Sequence, residues 1–103
     1  MYKLEYLPAA LGDMLDIVQY ISKELKNPIA AENLANEFIE SAENLTDFPY
    51  SNPVYYPIRP LKKEYRKLIV KNFIMFYYVD EPKKLITIAR VIYAKRDYGR
   101  ILE

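Results

Sequence analysis

The feature that most constrains the fold is a dense run of prolines in the middle of the chain. The segment "TDFPYSNPVYYPIRPL", residues 46–61, contains Pro49, Pro53, Pro57 and Pro60. Because each proline fixes φ and lacks a backbone N–H donor, this segment can be neither a regular helix nor a central strand. We expect a surface connection that packs across the rest of the fold through Phe48, Tyr55 and Ile58, although a connection this long can also carry function.

The residues before the prolines have the apolar spacing of two helices. After a strand-like segment at 2–7, Pro8 suits the first turn of a helix. From Ala9 onward, apolar residues recur three and four apart, at Leu11, Met14, Leu15, Val18, Ile21 and Leu25. Asn27 and Pro28 then suit the cap and the first residue of a second helix. Its apolar stripe is formed by Ala31, Leu34, Ala35, Phe38, Ala42 and Leu45. These patterns predict a helical hairpin with two buried stripes.

The residues after the prolines are typical of strands. Segment 64–71 alternates, segment 73–79 is continuously apolar and aromatic, and segment 84–94 is the longest β-branched run of the chain. Three strands joined by short polar turns form an antiparallel meander, and helices are needed to cover its apolar face. We therefore predict an α+β fold of order β-α-α-β-β-β, in which the meander sheet packs against the N-terminal helical hairpin, as one domain over residues 1–103.

Composition removes several classes of function. The 103 residues include no cysteine and no histidine, so the chain lacks disulfides, thiolate nucleophiles, imidazole acid–base catalysis and the commonest zinc ligands. We expect no metal and no cofactor. No apolar run approaches the roughly 20 residues of a membrane helix, and the N-terminus lacks the basic-then-apolar pattern of a signal peptide. We therefore expect a cytoplasmic protein that has no membrane partner.

The formal net charge of +1 conceals a division between the two halves of the chain. Residues 1–54 hold three cations against nine anions, a net charge of −6, whereas residues 55–103 hold twelve against five, a net charge of +7. Such an asymmetry indicates an acidic or nucleic-acid partner for the second half. The alternative is that the two halves neutralise each other within the fold.

The candidate binding residues gather around the last predicted strand and the segment after it. If Arg66 of the first meander strand lies on the same face as Arg90, the sheet presents a basic patch flanked by tyrosines. Arginine and lysine hold phosphates or carboxylates, and tyrosine stacks on bases. Taken singly, a cation at a strand end is more often a solvated residue that protects the edge from aggregation. As a set, the candidates for binding a partner are Arg66, Lys71, Arg90, Tyr93, Lys95, Arg96, Tyr98 and Arg100.

Several segments carry a resemblance to a known family over essentially the whole chain. They are "LTDFPYSNP", then "YRKLIVKNFIMFYYVD", and finally "ITIARVIYAKRDYGRIL". Each is weak alone, but in this order and spacing the chain resembles the RelE/ParE toxins of bacterial type II toxin–antitoxin modules. The resemblance implies a growth-arresting toxin that a small antitoxin binds and silences.

One mechanism implied by the resemblance is cleavage of messenger RNA on the ribosome, as in RelE-like members. These use lysines, arginines and often a C-terminal tyrosine, and the catalytic candidates in this chain would be Arg66, Arg96 and Tyr98. The pattern is incomplete. The positions that correspond to an arginine, a lysine and the late tyrosine are Ile74, Leu68 and Leu102.

The other mechanism is that of ParE-like members, which poison DNA gyrase by binding it. Binding requires neither a nucleophile nor a general base, so the absence of histidine and the incomplete RNase set favour this branch. One departure is that Tyr93 stands where ParE-like relatives often carry histidine. The resemblance also implies an antitoxin with an acidic, partly disordered tail, which would pair with the basic half in a toxin–antitoxin hetero-oligomer. A non-toxic module that binds protein or nucleic acid is a third hypothesis.

Overall fold

The fold is a four-stranded sheet with two helices on one face and a loop and a short C-terminal helix on the other. The computed structural model describes residues 1–57 and 60–102. Its elements are β1 (Lys3–Tyr6), α1 (Pro8–Gln19), a π-helical turn (Tyr20–Glu24), α2 (Pro28–Asn44), β2 (Arg66–Val70), β3 (Phe73–Asp80), β4 (Leu85–Tyr93) and α3 (Tyr98–Ile101). The predicted α+β fold is confirmed, and α3 is an element that the sequence patterns did not predict. Within the described ranges, every helix is too short or too polar to cross a membrane.

The strand order of the sheet is β1-β4-β3-β2. Strands β2, β3 and β4 form the predicted antiparallel meander, and β1 lies parallel to β4, with Lys3 opposite Leu85 and Tyr6 opposite Ile88. Because β1 ends at Tyr6, the remainder of the outer edge of β4 has no neighbouring strand within the described residues. Helix α1 starts beside this point, since the Leu7 backbone N–H donates to the Ile88 carbonyl at 2.9 Å.

A two-residue turn joins β2 to β3. Val70 stands opposite Phe73, and Lys71 between them takes a φ of 54°, in the left-handed region that such hairpin turns require. The Asn72 carbonyl accepts from the Ala94 backbone N–H at 2.9 Å. This turn therefore lies at the end of the sheet where β4 finishes.

The main core lies between the helices and the sheet, where Phe38, Met75, Tyr77, Ile86 and Ile88 are fully buried. Of the stripe predicted for the first helix, Met14 and Ile21 do pack on the main core. The line that packs on the core is Ala10, Met14, Ile17 and Ile21, whereas Leu11, Leu15 and Leu25 are 52%, 56% and 56% exposed. The prediction that these leucines are buried is wrong. Both sets have helical spacing, and the small Ala10 allows the closer approach of α1 to the sheet.

A second, smaller apolar cluster covers the other face of the sheet. Its buried members are Ile74, Phe76, Ile92 and Leu102, against which Tyr55, Leu61, Tyr65, Tyr98 and Ile101 pack. The proline-rich connection and α3 therefore close this face together. Of the three residues expected to pack across the fold, Tyr55 does so, Phe48 is 67% exposed, and Ile58 lies outside the described residues.

Candidate binding surface

Arg66, at the start of β2, holds the proline-rich connection against the sheet. Its guanidinium donates to the Asn52 carbonyl at 2.7 Å and lies over the ring of Tyr50, 4.9 Å from the centroid. Next to it, the Tyr77 hydroxyl donates to the Pro49 carbonyl at 2.8 Å. With its side chain 18% exposed, Arg66 presents little of its surface to a partner and serves mainly to position the connection.

Arg90 is bound to helix α1. Its Nε and Nη2 donate to the Asp13 carboxylate at 2.7 and 2.8 Å. The Val91 backbone N–H donates to the same carboxylate at 2.9 Å. The hydrogen bond with Asp13 raises the pKa of the Arg90 guanidinium. Because β1 ends before this part of β4, the carboxylate accepts an edge N–H that a neighbouring strand would otherwise take.

The two strand arginines do not share a face of the sheet. Arg66 stands opposite Tyr77, which lies in the core on the helix side, whereas Arg90 stands opposite Phe76, which lies in the cluster on the other side. Phe76 and Tyr77 are neighbours in β3, and successive side chains of a strand point to opposite faces of the sheet. The expectation of one basic patch that includes both arginines is therefore wrong.

A different group of predicted residues does come together, at the end of the sheet where β4 finishes. Tyr93 stands opposite Phe73, next to the β2–β3 turn, and the chain then continues into two exposed cations. We call this group, Lys71, Tyr93, Lys95 and Arg96, the cationic end. Lys71 lies 3.7 Å from the Glu37 carboxylate, whereas the side chains of Lys95 and Arg96 form no ion pair or hydrogen bond within residues 1–57 and 60–102.

The last two predicted site residues lie in α3 and differ from each other. The ring of Tyr98 lies 5.2 Å from that of Phe76 and 5.4 Å from that of Tyr55, centroid to centroid. Tyr98 is therefore a packing residue of the smaller cluster. Arg100 is exposed on the same helical turn, and within the described part of the chain its guanidinium has no ion-pair or hydrogen-bond partner.

The three positions that the RelE-like pattern would fill with reactive groups are apolar and packed. Ile74 and Leu102 are 5% and 7% exposed in the smaller cluster. Leu68 packs against the main core on the opposite side of the sheet. These side chains offer neither a proton-transfer group nor a charge for a phosphate.

A polar cluster that the sequence analysis missed lies at the other end of the sheet. The Glu81 carboxylate accepts from the hydroxyl of Tyr2 at 2.7 Å, from that of Tyr50, and from the ammonium of Lys84. These hydrogen bonds, of which that from Lys84 has the largest effect, lower the pKa of Glu81 to about 2. The hydrogen bond to Glu81 raises the pKa of Tyr50 to about 12. Glu81 and Lys84 are three residues apart in one turn, whereas Tyr2 and Tyr50 come from segments distant in sequence, so local patterns could have found only the ion pair.

The outer surface of the helical hairpin carries exposed apolar side chains. Leu11 and Leu15 lie one turn apart on α1, and Ile39 on α2 is 43% exposed. Ile29, near the start of α2, is 73% exposed. Scattered apolar residues are normal on a surface, but a pair on successive turns of one helix forms a strip that a partner can cover.

Comparisons with known proteins agree on one fold. The sequence profile of a family described as "ParE toxin of type II toxin-antitoxin system, parDE" matches residues 4–98. Among solved structures, the chromosomal ParDE toxin–antitoxin system from P. aeruginosa is similar, with a TM-score of 0.72 and 18% sequence identity over 92% of this chain and 98% of that chain. A search of proteins with curated descriptions returns no match.

Two RelE structures are also similar. The archaeal RelE–RelB complex from Pyrococcus horikoshii OT3 has a TM-score of 0.58 and 14% identity over 92% of this chain and 97% of that chain. The isolated E. coli RelE toxin has a TM-score of 0.53 and 16% identity over 98% of this chain and 93% of that chain. At these identities, the structural likeness shows the fold and leaves the activity to be argued from the residues.

Proposed function

Because the chain belongs to the ParE toxin family of type II toxin–antitoxin systems, we propose that it arrests growth by binding DNA gyrase and that a cognate antitoxin neutralises it. The observation that carries the choice of binding over cleavage is the apolar character of Leu68, Ile74 and Leu102. These positions would hold reactive groups in a RelE-like RNase, yet here they pack in the two cores. The proposed activity places the protein in the cytoplasm.

Cleavage of RNA would require groups that remove the 2′-hydroxyl proton and stabilise the crowded phosphate. Each missing transition-state contact typically costs about 2.7–4 kcal/mol, a factor of about a hundred to a thousand in rate. Of the remaining RNase candidates, Arg66 is committed to Asn52 and Tyr50, and Tyr98 packs between aromatic rings. Only Arg96 is left accessible. A ribosome-dependent mRNA endonuclease stays the alternative because RelE structures share this fold.

The cationic end is the surface that we propose for gyrase. Its lysines and arginine are exposed, and Lys95 and Arg96 have no intramolecular partner among the described residues, so they can form charge-assisted hydrogen bonds without first breaking others. Tyr93 is 39% exposed beside them and adds an aromatic surface of the kind enriched at interfaces. Arg100 adds a further exposed cation from α3.

For the antitoxin, we propose an acidic, partly disordered tail that folds on the toxin. The net charge of +7 in residues 55–103 attracts such a tail. The exposed strip of Leu11 and Leu15 on the hairpin supplies apolar area to bury. Toxin and antitoxin would then form a hetero-oligomer. The RelE–RelB complex and the ParDE system with the same fold support a partner of this kind.

A supercoiling assay with purified gyrase tests the proposed target. We expect the protein to slow supercoiling or to trap cleaved DNA, and the variant Arg96→Ala to be weaker. The matched control is Lys83→Ala, which removes one exposed cation from the turn between β3 and β4, at the opposite end of the sheet. Normal supercoiling at saturating protein, together with specific cuts in ribosome-bound message in a reconstituted translation reaction, would replace gyrase binding by RNase activity.

The third hypothesis, a non-toxic binding module, has a separate test. Expression of the gene alone is expected to arrest growth, and coexpression of a neighbouring gene that encodes a small acidic protein is expected to restore it. Normal growth at good expression of the folded protein would exclude a toxin. Growth arrest that the neighbour does not relieve would exclude that neighbour as the antitoxin.

A further inference from the structure

A column of aromatic rings runs from the main core to the cationic end. It starts at Phe38 of α2, which is fully buried. The ring of Phe73, the first residue of β3, lies 5.7 Å from that of Phe38, and the ring of Tyr93 lies 5.8 Å from that of Phe73, centroid to centroid. The interplanar angles of 81° and 63° make both contacts edge-to-face, an arrangement that aromatic pairs prefer. The partly exposed ring of Tyr93 therefore rests on a ring that is anchored in the core.

The backbone fixes where the two outer members of this column start. Phe73 and Tyr93 stand opposite each other on neighbouring strands, and Phe73 packs on the main core, so both side chains lie on the helix face of the sheet. After Tyr93, the Ala94 N–H donates to the Asn72 carbonyl at 2.9 Å, and the Arg96 N–H donates to the Tyr93 carbonyl at 3.0 Å. The side-chain torsions are then the main freedom left to Tyr93, and the ring of Phe73 restricts them.

Helix α2 holds this corner of the sheet through two consecutive residues. Phe38 packs on Phe73, and the Glu37 carboxylate lies 3.7 Å from the Lys71 ammonium in the turn before β3. Both side chains of this ion pair are exposed, and exposed ion pairs add little to stability. The contact between the rings of Phe38 and Phe73 is therefore the main link between α2 and this end of the sheet.

Tyr93 differs in this respect from the cations beside it. The side chains of Lys95 and Arg96 form no ion pair or hydrogen bond within the described ranges, so a partner that binds them must also immobilise them. A tyrosine has only two side-chain torsions and supplies a large contact area at a low cost in conformational entropy. Because Phe73 already restricts the ring, this cost is smaller still at Tyr93. Tyr93 is therefore the preorganised member of the cationic end.

We propose that Phe73 is a positioning residue for target binding: its ring holds that of Tyr93 in the orientation that contacts the target, and Phe38 holds Phe73 in turn. This role rests on the proposed function in taking gyrase as the target and the cationic end as its binding surface. It goes beyond that function, because Phe73 packs on the main core and neither charge nor exposure would select it. Part of the affinity then depends on a residue that the target does not touch.

A double-mutant cycle on the affinity for purified gyrase tests this role. The variants are Phe73→Leu, Tyr93→Ala and the two together. Phe73→Leu replaces the ring by an apolar side chain that still fills much of its place. It is expected to weaken binding about two- to tenfold, since the lost preorganisation cannot exceed the worth of the edge-to-face contact that provides it. In the Tyr93→Ala background, the same substitution is expected to leave the affinity unchanged.

Two further measurements separate positioning from stability. Ile86→Val shortens a fully buried side chain near the start of β4, at the opposite end of this strand from Tyr93. It should lower the free energy of unfolding, as Phe73→Leu does, but leave the affinity for gyrase unchanged. In the free protein, three-bond couplings measured by NMR report the χ1 rotamer of Tyr93. We expect one rotamer in the unaltered protein and averaging over several in Phe73→Leu.

The possible results separate the role of Phe73 from the choice of target. Equal weakening by Phe73→Leu with and without the Tyr93 ring, or equal weakening by Ile86→Val, would overturn the positioning role and leave gyrase binding intact. An unchanged Tyr93 rotamer in Phe73→Leu would overturn it as well. If the unaltered protein does not bind gyrase, the proposed target falls. The rotamer measurement, with the same cycle scored on growth arrest, then decides the role of Phe73 separately.

Discussion

The cations of this protein fall into two groups that do different work. Arg66 and Arg90 lie on strands, are mostly buried, and hold the proline-rich connection and α1 against the sheet. Lys95, Arg96 and Arg100 follow the last strand, are exposed, and have no ion pair or hydrogen bond within the described ranges. The first group joins segments of the chain that are distant in sequence, whereas the second is exposed to solvent.

The comparison shows why a count of basic residues overestimates a binding surface. A guanidinium that already donates to Asp13 or to the Asn52 carbonyl must lose those bonds before it can bind a partner, and a buried group left unpaired costs about 1–3 kcal/mol or more when charged. A solvated lysine or arginine loses only water and side-chain entropy. The intramolecular partners of Arg66 and Arg90 therefore explain their part in the fold, whereas charge alone would have grouped them with the exposed cations.

The largest expected effect is at the ion pair between α1 and β4. Asp13→Ala removes two hydrogen bonds to Arg90 and one to the Val91 backbone N–H. The free energy of unfolding is expected to fall by about 2–4 kcal/mol, because the mostly buried guanidinium and the edge N–H are left unpaired. Urea unfolding measures this. Asp13→Asn, which keeps an acceptor for Val91, is expected to lose less, and a loss below about 0.5 kcal/mol in Asp13→Ala would show that Arg90 belongs with the unpartnered cations.

A smaller loss is expected at the other strand arginine. Arg66→Ala removes the hydrogen bond to the Asn52 carbonyl and the contact with the Tyr50 ring. We expect the free energy of unfolding to fall by about 1–3 kcal/mol, with faster exchange of the Lys67 amide as the connection loosens. Arg66→Lys keeps the positive charge but lacks the planar guanidinium. Its free energy of unfolding should therefore lie between those of the unaltered protein and Arg66→Ala. If Arg66→Ala keeps its stability but loses toxicity, Arg66 binds the target and does not hold the connection.

Lys84 combines features of the two groups of cations, because its side chain is exposed and yet forms an ion pair with Glu81. Its ammonium binds Glu81, whose pKa in the folded protein is lowered to about 2 from an ordinary value of 4.5. A carboxyl whose pKa is lowered by folding stabilises the protein above its ordinary pKa, and this contribution is lost as the pH falls from about 4.5 towards 2. The difference in the free energy of unfolding between the protein and Glu81→Gln should therefore shrink over this range. A difference that does not vary with pH would show that Lys84, Tyr50 and Tyr2 do not stabilise the ionised Glu81 carboxylate.

Local patterns were sufficient for most of the fold. The predicted cap of α2 is confirmed, since the Asn27 side chain accepts from the Ala30 backbone N–H at 3.1 Å and Pro28 starts the helix. The three meander strands lie where alternation and β-branching indicated them. Helix α3 was missed because "YGRI" has only four residues and is ordered mainly by packing on the smaller cluster, which is a long-range contact.

Long-range geometry limited the prediction of the site. The register of the strands cannot be read from alternation. It places Arg66 opposite Tyr77 and Arg90 opposite Phe76, two neighbours in β3 that face opposite sides of the sheet. The same holds for the buried line of α1, where two sets of residues share helical spacing. In contrast, the juxtaposition of Lys71 with Lys95 follows from consecutive antiparallel strands, because the turn after β2 and the end of β4 must meet.

The smallest effect on stability is expected at the cationic end. Substitutions there are the most direct test of the proposed binding surface, because stability and binding should respond differently. The double variant Lys95→Ala with Arg96→Ala should change the free energy of unfolding by less than about 0.5 kcal/mol, as is usual for solvated surface residues. Its affinity for gyrase should nevertheless fall by about tenfold or more, since a hydrogen bond between charged groups is worth about 1.5–3 kcal/mol.

Lys83→Ala is the control for a general effect of charge, because it removes an exposed cation from the far end of the sheet. If it weakens gyrase binding as much as the double variant, the attraction depends on the net charge of the whole protein. If neither variant affects binding while both remain folded, the residues after β4 are a solvated strand end. Substitution of Leu11 and Leu15 would then test whether the exposed apolar strip of the helical hairpin binds the target instead.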